Sequence, residues 1–477
     1  MKNIKKYIIL FIIPLCSMMI SCNEDKYDTS ESPDLTYIRN IRILNVADTV
    51  IYGKVDELKK EIKFPKLDSL SDLRAVRFEA DLPQGAHFDQ ETYDFSIPKG
   101  ETQNRRIVSV VNGKRKREYY VTIRLSVPVF GADFAKAKVY DHSGNTTCYP
   151  DFTGANTRNA DMDTTHVLIV SRDATGPHLL KILDLKENRV EPIKLDLTGV
   201  SGGTFAYSSG HLSHGHIYIV NLQGVAGELS IYHWDSPSAT PTKIFAQIPN
   251  TFGATAGRFG DDMSMDIDEN GNGYIYLGNN QSTTTGLGVL RIKVTGFTTL
   301  TEPTLLTLPV AGGMWINYNL VDGSDAEYTF TGPSGPVVLV GNSGNSIYQM
   351  ANDAVPLRSA DAHIINYNDE RYLAMTTGNP TGAETENAIY IYDITKGETS
   401  KEALELFEAG NRSAKYKFNL KGSGNTSVYT ASFAYGKTEN ALYLLGAAPY
   451  GGGFVVIEVP KASEIDDFYE EDDIDWQ

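Results

Sequence analysis

Three tetrapeptides in this chain share one pattern: Arg158-Asn159-Ala160-Asp161, Arg258-Phe259-Gly260-Asp261 and Arg358-Ser359-Ala360-Asp361. A guanidinium is a planar fork of donors that suits carboxylates, sulfates and vicinal hydroxyls. An aspartate three residues on can either hold that fork in place or accept from a ligand's hydroxyls. The competing expectation is structural, with each Arg paired to its own or a neighbouring Asp. Around these motifs stand aromatic and amide side chains: Phe205, Tyr207, Trp315, Tyr318, Arg172, Asn279 and Asn280. Aromatic faces stack on sugar rings while amides and guanidinium groups read hydroxyls. The expected ligand-binding set is therefore Arg158, Asp161, Arg258, Asp261, Arg358, Asp361, Trp315, Tyr318 and Asn279. The ligand expected is a glycan or a small anion.

Two other constellations carry metal-ligand types without completing a site. Asp266-x-Asp268-x-Asn270-Gly271 starts like a calcium loop, but Leu277 stands where the bidentate acid belongs. His211-x-x-His214-x-His216 falls at a predicted hairpin turn. Neither a metal nor any other cofactor is expected. No catalytic residue can be singled out.

Side chains 100 residues apart converge only if the fold repeats, and from 129 to 463 the sequence does so weakly. A β-rich run, a Gly/Asn/Ser loop and a second β-rich run recur six times. The pairs are Val167–Val170 with Leu179–Leu185, Ile217–Val220 with Leu229–Trp234, and Tyr274–Leu277 with Val289–Val294. Three more follow: Val337–Val340 with Ser346–Met350, Tyr372–Met375 with Ala388–Ile394, and Leu442–Leu445 with Phe454–Val459. Read as the second and third strands of successive blades, they predict a six-bladed β-propeller, with seven blades the alternative. Lys243–Ile248 and Lys415–Leu420 are expected outer strands, and Met263–Ile267 and Tyr429–Phe433 inner ones. Lys136–Tyr140 is expected to close the ring on the last blade. The Arg-x-x-Asp motifs then precede the inner strands of blades one, three and five, around the channel mouth.

Residues 35–128 read as a separate β-sandwich of immunoglobulin-like type, with β-rich runs at 41–44, 61–64, 75–80, 93–97, 106–111 and 119–125. Asn112-Gly113 marks a tight hairpin. Residues 1–21 have the lysine-rich start and apolar stretch of an export signal, and Ser21 precedes Cys22. That junction resembles the lipobox of bacterial lipoproteins, which implies lipidation of Cys22. The acidic run of the tether, 22–34, resembles the surface-export signals of Bacteroidetes. Taken whole, the chain resembles an uncharacterised family of Bacteroidetes outer-membrane lipoproteins, a domain of unknown function built of a sandwich and a propeller.

Charge narrows the partners. The 477 residues carry a net charge of −17, and the segment 128–477 holds 42 acidic against 22 basic side chains. Eight of those acids fall in the tail 464–477. Nucleic acid and anionic membrane surfaces are excluded as partners, leaving the N-terminal lipid as the membrane contact. Once Cys22 is lipidated the exported chain keeps only Cys148, so no internal disulfide forms. The expected function is a non-catalytic surface lipoprotein that binds a glycan or other ligand at the channel mouth, with partner proteins of an uptake complex. The alternatives are a sialidase-like hydrolase or polysaccharide lyase on an acidic glycan, and an adhesion or scaffold protein. The expected location is the cell surface of the outer membrane, with its periplasmic face as the alternative.

Overall fold

The computed structural model describes residues 34–144, 156–280, 288–308, 315–332, 336–356, 359–378, 387–421, 431–448 and 453–464. They are all-β and form two compact units, drawn from Met1–Val127 with Glu464–Gln477 and from Pro128–Ser463.

The first unit has two sheets. Arg39–Ile43 runs between Ile51–Tyr52 and Phe78–Asp81 in one. The other is ordered Lys54–Asp56, Glu61–Lys63, Arg115–Arg124, Gln103–Asn112, His87–Phe88. Its long hairpin turns at Asn112-Gly113, where Asn112 faces Arg115 across a two-residue loop and Gly113 takes φ 55°. Alternation then sets the faces: Tyr119 and Val121 are buried, whereas Tyr120 between them is exposed. Phe64, Phe78 and Phe95 pack among them. The run 93–97 does not form the expected strand. Tyr93 makes only an isolated bridge to Val76, and Phe95 and Ile97 serve the core from an irregular segment.

The second unit holds six four-stranded antiparallel sheets among the described residues, S1 to S6. Their first strands are Thr157–Met162, Ser209–Ser213, Ser264–Ile267, Asn317–Leu320, Ser359–Tyr367 and Ser432–Lys437. Each first strand lies against the next, and the sixth returns to the first. The second strands, such as His166–Ser171 and Glu370–Thr377, are almost wholly buried, because neighbouring sheets cover both faces. That double burial is why they read as continuous apolar runs rather than alternating ones. In S6 the fourth strand comes from earlier in the chain: Lys138–Ser143 pairs with Gly453–Pro460 from Ser143↔Gly453 to Lys138↔Glu458.

The expected strand Leu179–Leu185 ends at Lys181 and passes into a short helix, Ile182–Lys186, and two further expectations change here. In S4 the pair Val337–Val340 and Ser346–Met350 supplies the third and fourth strands, not the second and third. The second is Glu327–Thr331, whose alternating polar residues hid it. Between the third and fourth strands of S5 the chain inserts a helix, Ser400–Ala409. Thr399 caps it by accepting from the Glu402 N–H, and Ala403, Leu404 and Phe407 are its buried face.

Candidate functional site

At one end of the six sheets three guanidinium groups share a neighbourhood. Arg158 lies in the first strand of S1, and Arg172 follows the second, where its N–H bonds the Asn156 carbonyl at 2.8 Å. Arg258 sits on a two-residue strand with Phe259, pairing with Gln223–Gly224. Gly260 turns the chain back at φ 94°, and a β-carbon there would run into the Asn221 carbonyl. The turn delivers Asp261, 2% exposed, beneath the arginines. Arg258 donates to it from Nε at 2.7 Å and from Nη2 at 3.0 Å. Asn280 Nδ2 donates at 2.6 Å and Arg158 Nη2 at 3.4 Å.

Arg172 is held differently. It donates to the Tyr207 carbonyl at 3.0 Å and to Ser208 Oγ at 2.8 Å, and its guanidinium lies 5.0 Å over the Phe205 ring. These partners are neutral. Burial pulls the Arg172 pKa down to about 10, and the charges of Arg158 and Arg258 push the same way while Asp261 opposes them. It remains protonated at neutral pH, a half-buried cation beside two others. Arg258 keeps 40% of its side-chain surface and Phe205 keeps 52%, so the cluster has an accessible edge.

Farther along the same axis the first strands of all six sheets enclose a cavity of about 590 Å³. Its lining includes Asp161, His211, Asp266, Asp322, His363 and Tyr435. Asp161 accepts from the Leu212 N–H at 2.6 Å and faces His211 Nδ1 at 3.0 Å. Asp361 repeats this in S5, accepting from the Phe433 N–H at 2.7 Å, with His363 Nε2 at 3.1 Å and Asn319 Nδ2 at 2.8 Å. Each carboxylate thus ties its inner strand to the next. Burial raises the pKa of both Asp161 and Asp266. Asp262 is raised farther, by burial and then by the neighbouring charge of Asp361. Lys437 bridges Asp322 at 2.6 Å at the rim.

The family described as domain of unknown function DUF4623 matches residues 25–462. The chain belongs to that family. A DUF4623 family protein from Bacteroides eggerthii, known from its crystal structure, is 34% identical over 91% of this chain and 100% of its own, with a TM-score of 0.66. Fainter likenesses are to a GH43_1 enzyme from Xanthomonas citri (TM-score 0.30, 10% identity, 53% of this chain and 86% of that one) and to BamB from Moraxella catarrhalis (0.29, 10%, 89% and 100%). No curated protein matches the chain.

Within this DUF4623 chain the three motifs are not equivalent. Asp161 and Asp361 do the same work, each tying its inner strand to the next, whereas Asp261 belongs to the arginine cluster, and the charges of all three act on Asp262. Trp315 is 4% exposed. Tyr318 is 2% exposed, its ring stacked on Tyr328 at 4.8 Å and tilted against Tyr276 at 5.2 Å, between S3 and S4. Asn279 is buried and donates to the Ala256 carbonyl at 3.0 Å. Tyr318 lies in the strand Asn317–Leu320, whereas Asn279 follows the strand Gly273–Gly278 and Trp315 stands two residues before Asn317. Arg358, Cys22, Cys148 and Tyr429 lie outside the described residues. Asp268 caps its own hairpin, accepting from the N–H groups of Asn270 and Asn272 at 2.9 and 2.8 Å. Sequence reasoning overlooked His363 and Asp262. The period-2 spacing of Asp361 and His363 on one strand face was the available signal for the first.

Proposed function

We propose that this DUF4623 chain is a non-catalytic binding protein for an anionic, polyhydroxylated ligand, a glycan bearing carboxylates or sulfates. The ligand sits at the arginine-rich end of a six-bladed β-propeller whose ring is closed by Lys138–Ser143. The observation that carries the reading is Arg172. It is a half-buried guanidinium bonded to neutral groups, beside two more that share Asp261, with exposed Phe205 against it. Bringing cations together in an acidic unit costs free energy, and an anion arriving there recovers it. Phe205 supplies a face for a sugar ring. In this reading the first unit is an immunoglobulin-like spacer, and Cys22 carries the lipid that holds the protein at the outer-membrane surface.

The test is a glycan array at low salt with uronate, sialylated and sulfated oligosaccharides against neutral ones, followed by titration calorimetry. Acidic glycans are expected to bind, and Arg172→Ala to weaken them about tenfold or more, the value of a lost charged hydrogen bond. Binding of neutral glycans alone, or of none, refutes the proposal.

A second reading has its own observation. The axial cavity holds Asp161 and Asp266, carboxyl groups whose pKa burial raises, as the general acid of glycoside cleavage requires. Release of reducing ends from an acidic glycan, abolished by Asp266→Asn, would establish it.

A further inference from the structure

The histidine-rich stretch of S2 does not act as one group. His211 turns to Asp161, and His214 Nε2 meets the Ile267 carbonyl at 3.1 Å. His216 opens the second strand, and the register there is Ile217↔Trp234 and Tyr218↔His233. Continued by one pair, that register sets His216 opposite Asp235. His233 lies two residues before Asp235 on the neighbouring strand, so side-chain alternation puts all three on one face.

Their ligand atoms form a small triangle. His216 Nδ1 is 2.8 Å from His233 Nε2 and 3.5 Å from Asp235 Oδ1, and His233 Nε2 is 3.7 Å from that oxygen. Around a tetrahedral zinc ion, bond lengths of about 2.0–2.2 Å make the ligand–ligand edges roughly 3.4 Å. Two edges match as they stand. The third is a hydrogen bond between two imidazoles, one donating and one accepting. A cation replaces the shared proton, the two nitrogens part by about half an ångström, and the donor imidazole moves its proton to its other nitrogen.

The rings are already oriented. His216 stacks on Phe297 at 4.2 Å and 21°, and on His233 at 5.0 Å and 25°. His233 is 2% exposed, so its ring is fixed among its neighbours. Asp235 is 77% exposed, so the fourth position opens to water. Two imidazoles and one carboxylate favour a borderline d-block ion over calcium or magnesium.

We propose that His216, His233 and Asp235 form a binding site for a divalent transition-metal ion, with zinc the best fit, independent of the glycan reading. The experiment uses the full chain, stripped with EDTA and dialysed, then titrated with zinc by calorimetry and with cobalt by visible absorption. One equivalent of zinc and an intense, tetrahedral-type cobalt spectrum are expected. Asp235→Asn and His216→Asn should each weaken zinc about tenfold or more, while His87→Asn in the other unit leaves it unchanged. Asp235 is exposed, so its variant decides the matter should a histidine variant misfold. Zinc binding indifferent to Asp235→Asn, a weak octahedral cobalt spectrum, or no binding would overturn the site.

Discussion

Replacing Asp261 by alanine should destabilise the six-sheet unit by about 3 kcal/mol. Asp261 is 2% exposed and takes bonds from Arg258, Asn280 and Arg158. Removing one partner of a buried pair costs about 3–5 kcal/mol, because the remaining charge stays desolvated. That range applies to Arg158, whose side chain is 6% exposed. Arg258 keeps 40% of its surface and can turn toward water, so its share falls to the surface value of at most about 1 kcal/mol. The 3.4 Å contact to Arg158 is long, which places the sum toward the lower end. At roughly 2–4 °C per kcal/mol the melting temperature should fall by about 6–12 °C. Calorimetric scans of wild type and variant would measure it. The double variant Asp261→Ala/Arg158→Ala should lose less than the two single variants added together, since the two side chains share one contact. A single variant that melts within a degree or two of wild type would show that Asp261 is not the counter-charge of this cluster.

Other outcomes follow from the same geometry. Asp262 has a raised pKa in the folded state, so its ionisation opposes folding, and the penalty grows as pH rises from its ordinary value near 3.8 through the folded one. Asp262→Asn should therefore raise the melting temperature at pH 7.5 and leave it almost unchanged at pH 4; an equal shift at both would contradict the assignment. Gly260→Ala should cost more than about 1 kcal/mol, because an L side chain is strained at φ 94° and its β-carbon meets the Asn221 carbonyl; unchanged urea unfolding would refute that. Cys22→Ala should release the protein from membranes or stall its processing, and a variant of mature size that stays membrane-bound would exclude lipid anchoring.

The sequence was most informative where burial is two-sided. Val167–Val170 and Leu442–Leu445 are apolar without alternation because neighbouring sheets cover both faces, and both fall in second strands. S4 misled for the same reason. Its third strand, Val338–Gly341, is the most apolar, whereas the second carries Glu327, Thr329 and Thr331. The helix Ser400–Ala409 did leave a signal, Thr399 followed by Glu402, but it is brief and set in a loop. At the site, the residue types were legible and their heights along the axis were not. Arg258 and Asp261 precede a short strand through a glycine turn, whereas Asp161 and Asp361 lie within theirs, so equal spacing in sequence gave unequal positions. The partners of His216 were invisible for a different reason: they come from register across two strands, which no local pattern encodes.

The most direct test of the central claim is calorimetric titration of one acidic oligosaccharide, chosen from the array, into wild type, Arg172→Ala and Arg258→Ala at two salt concentrations. A binding role predicts about tenfold or greater loss of affinity in each variant, weaker binding of wild type at higher salt, and melting curves that confirm both variants are folded. Wild-type affinity retained in both folded variants would contradict the account and leave the cluster as a purely structural tie between S1, S2 and S3.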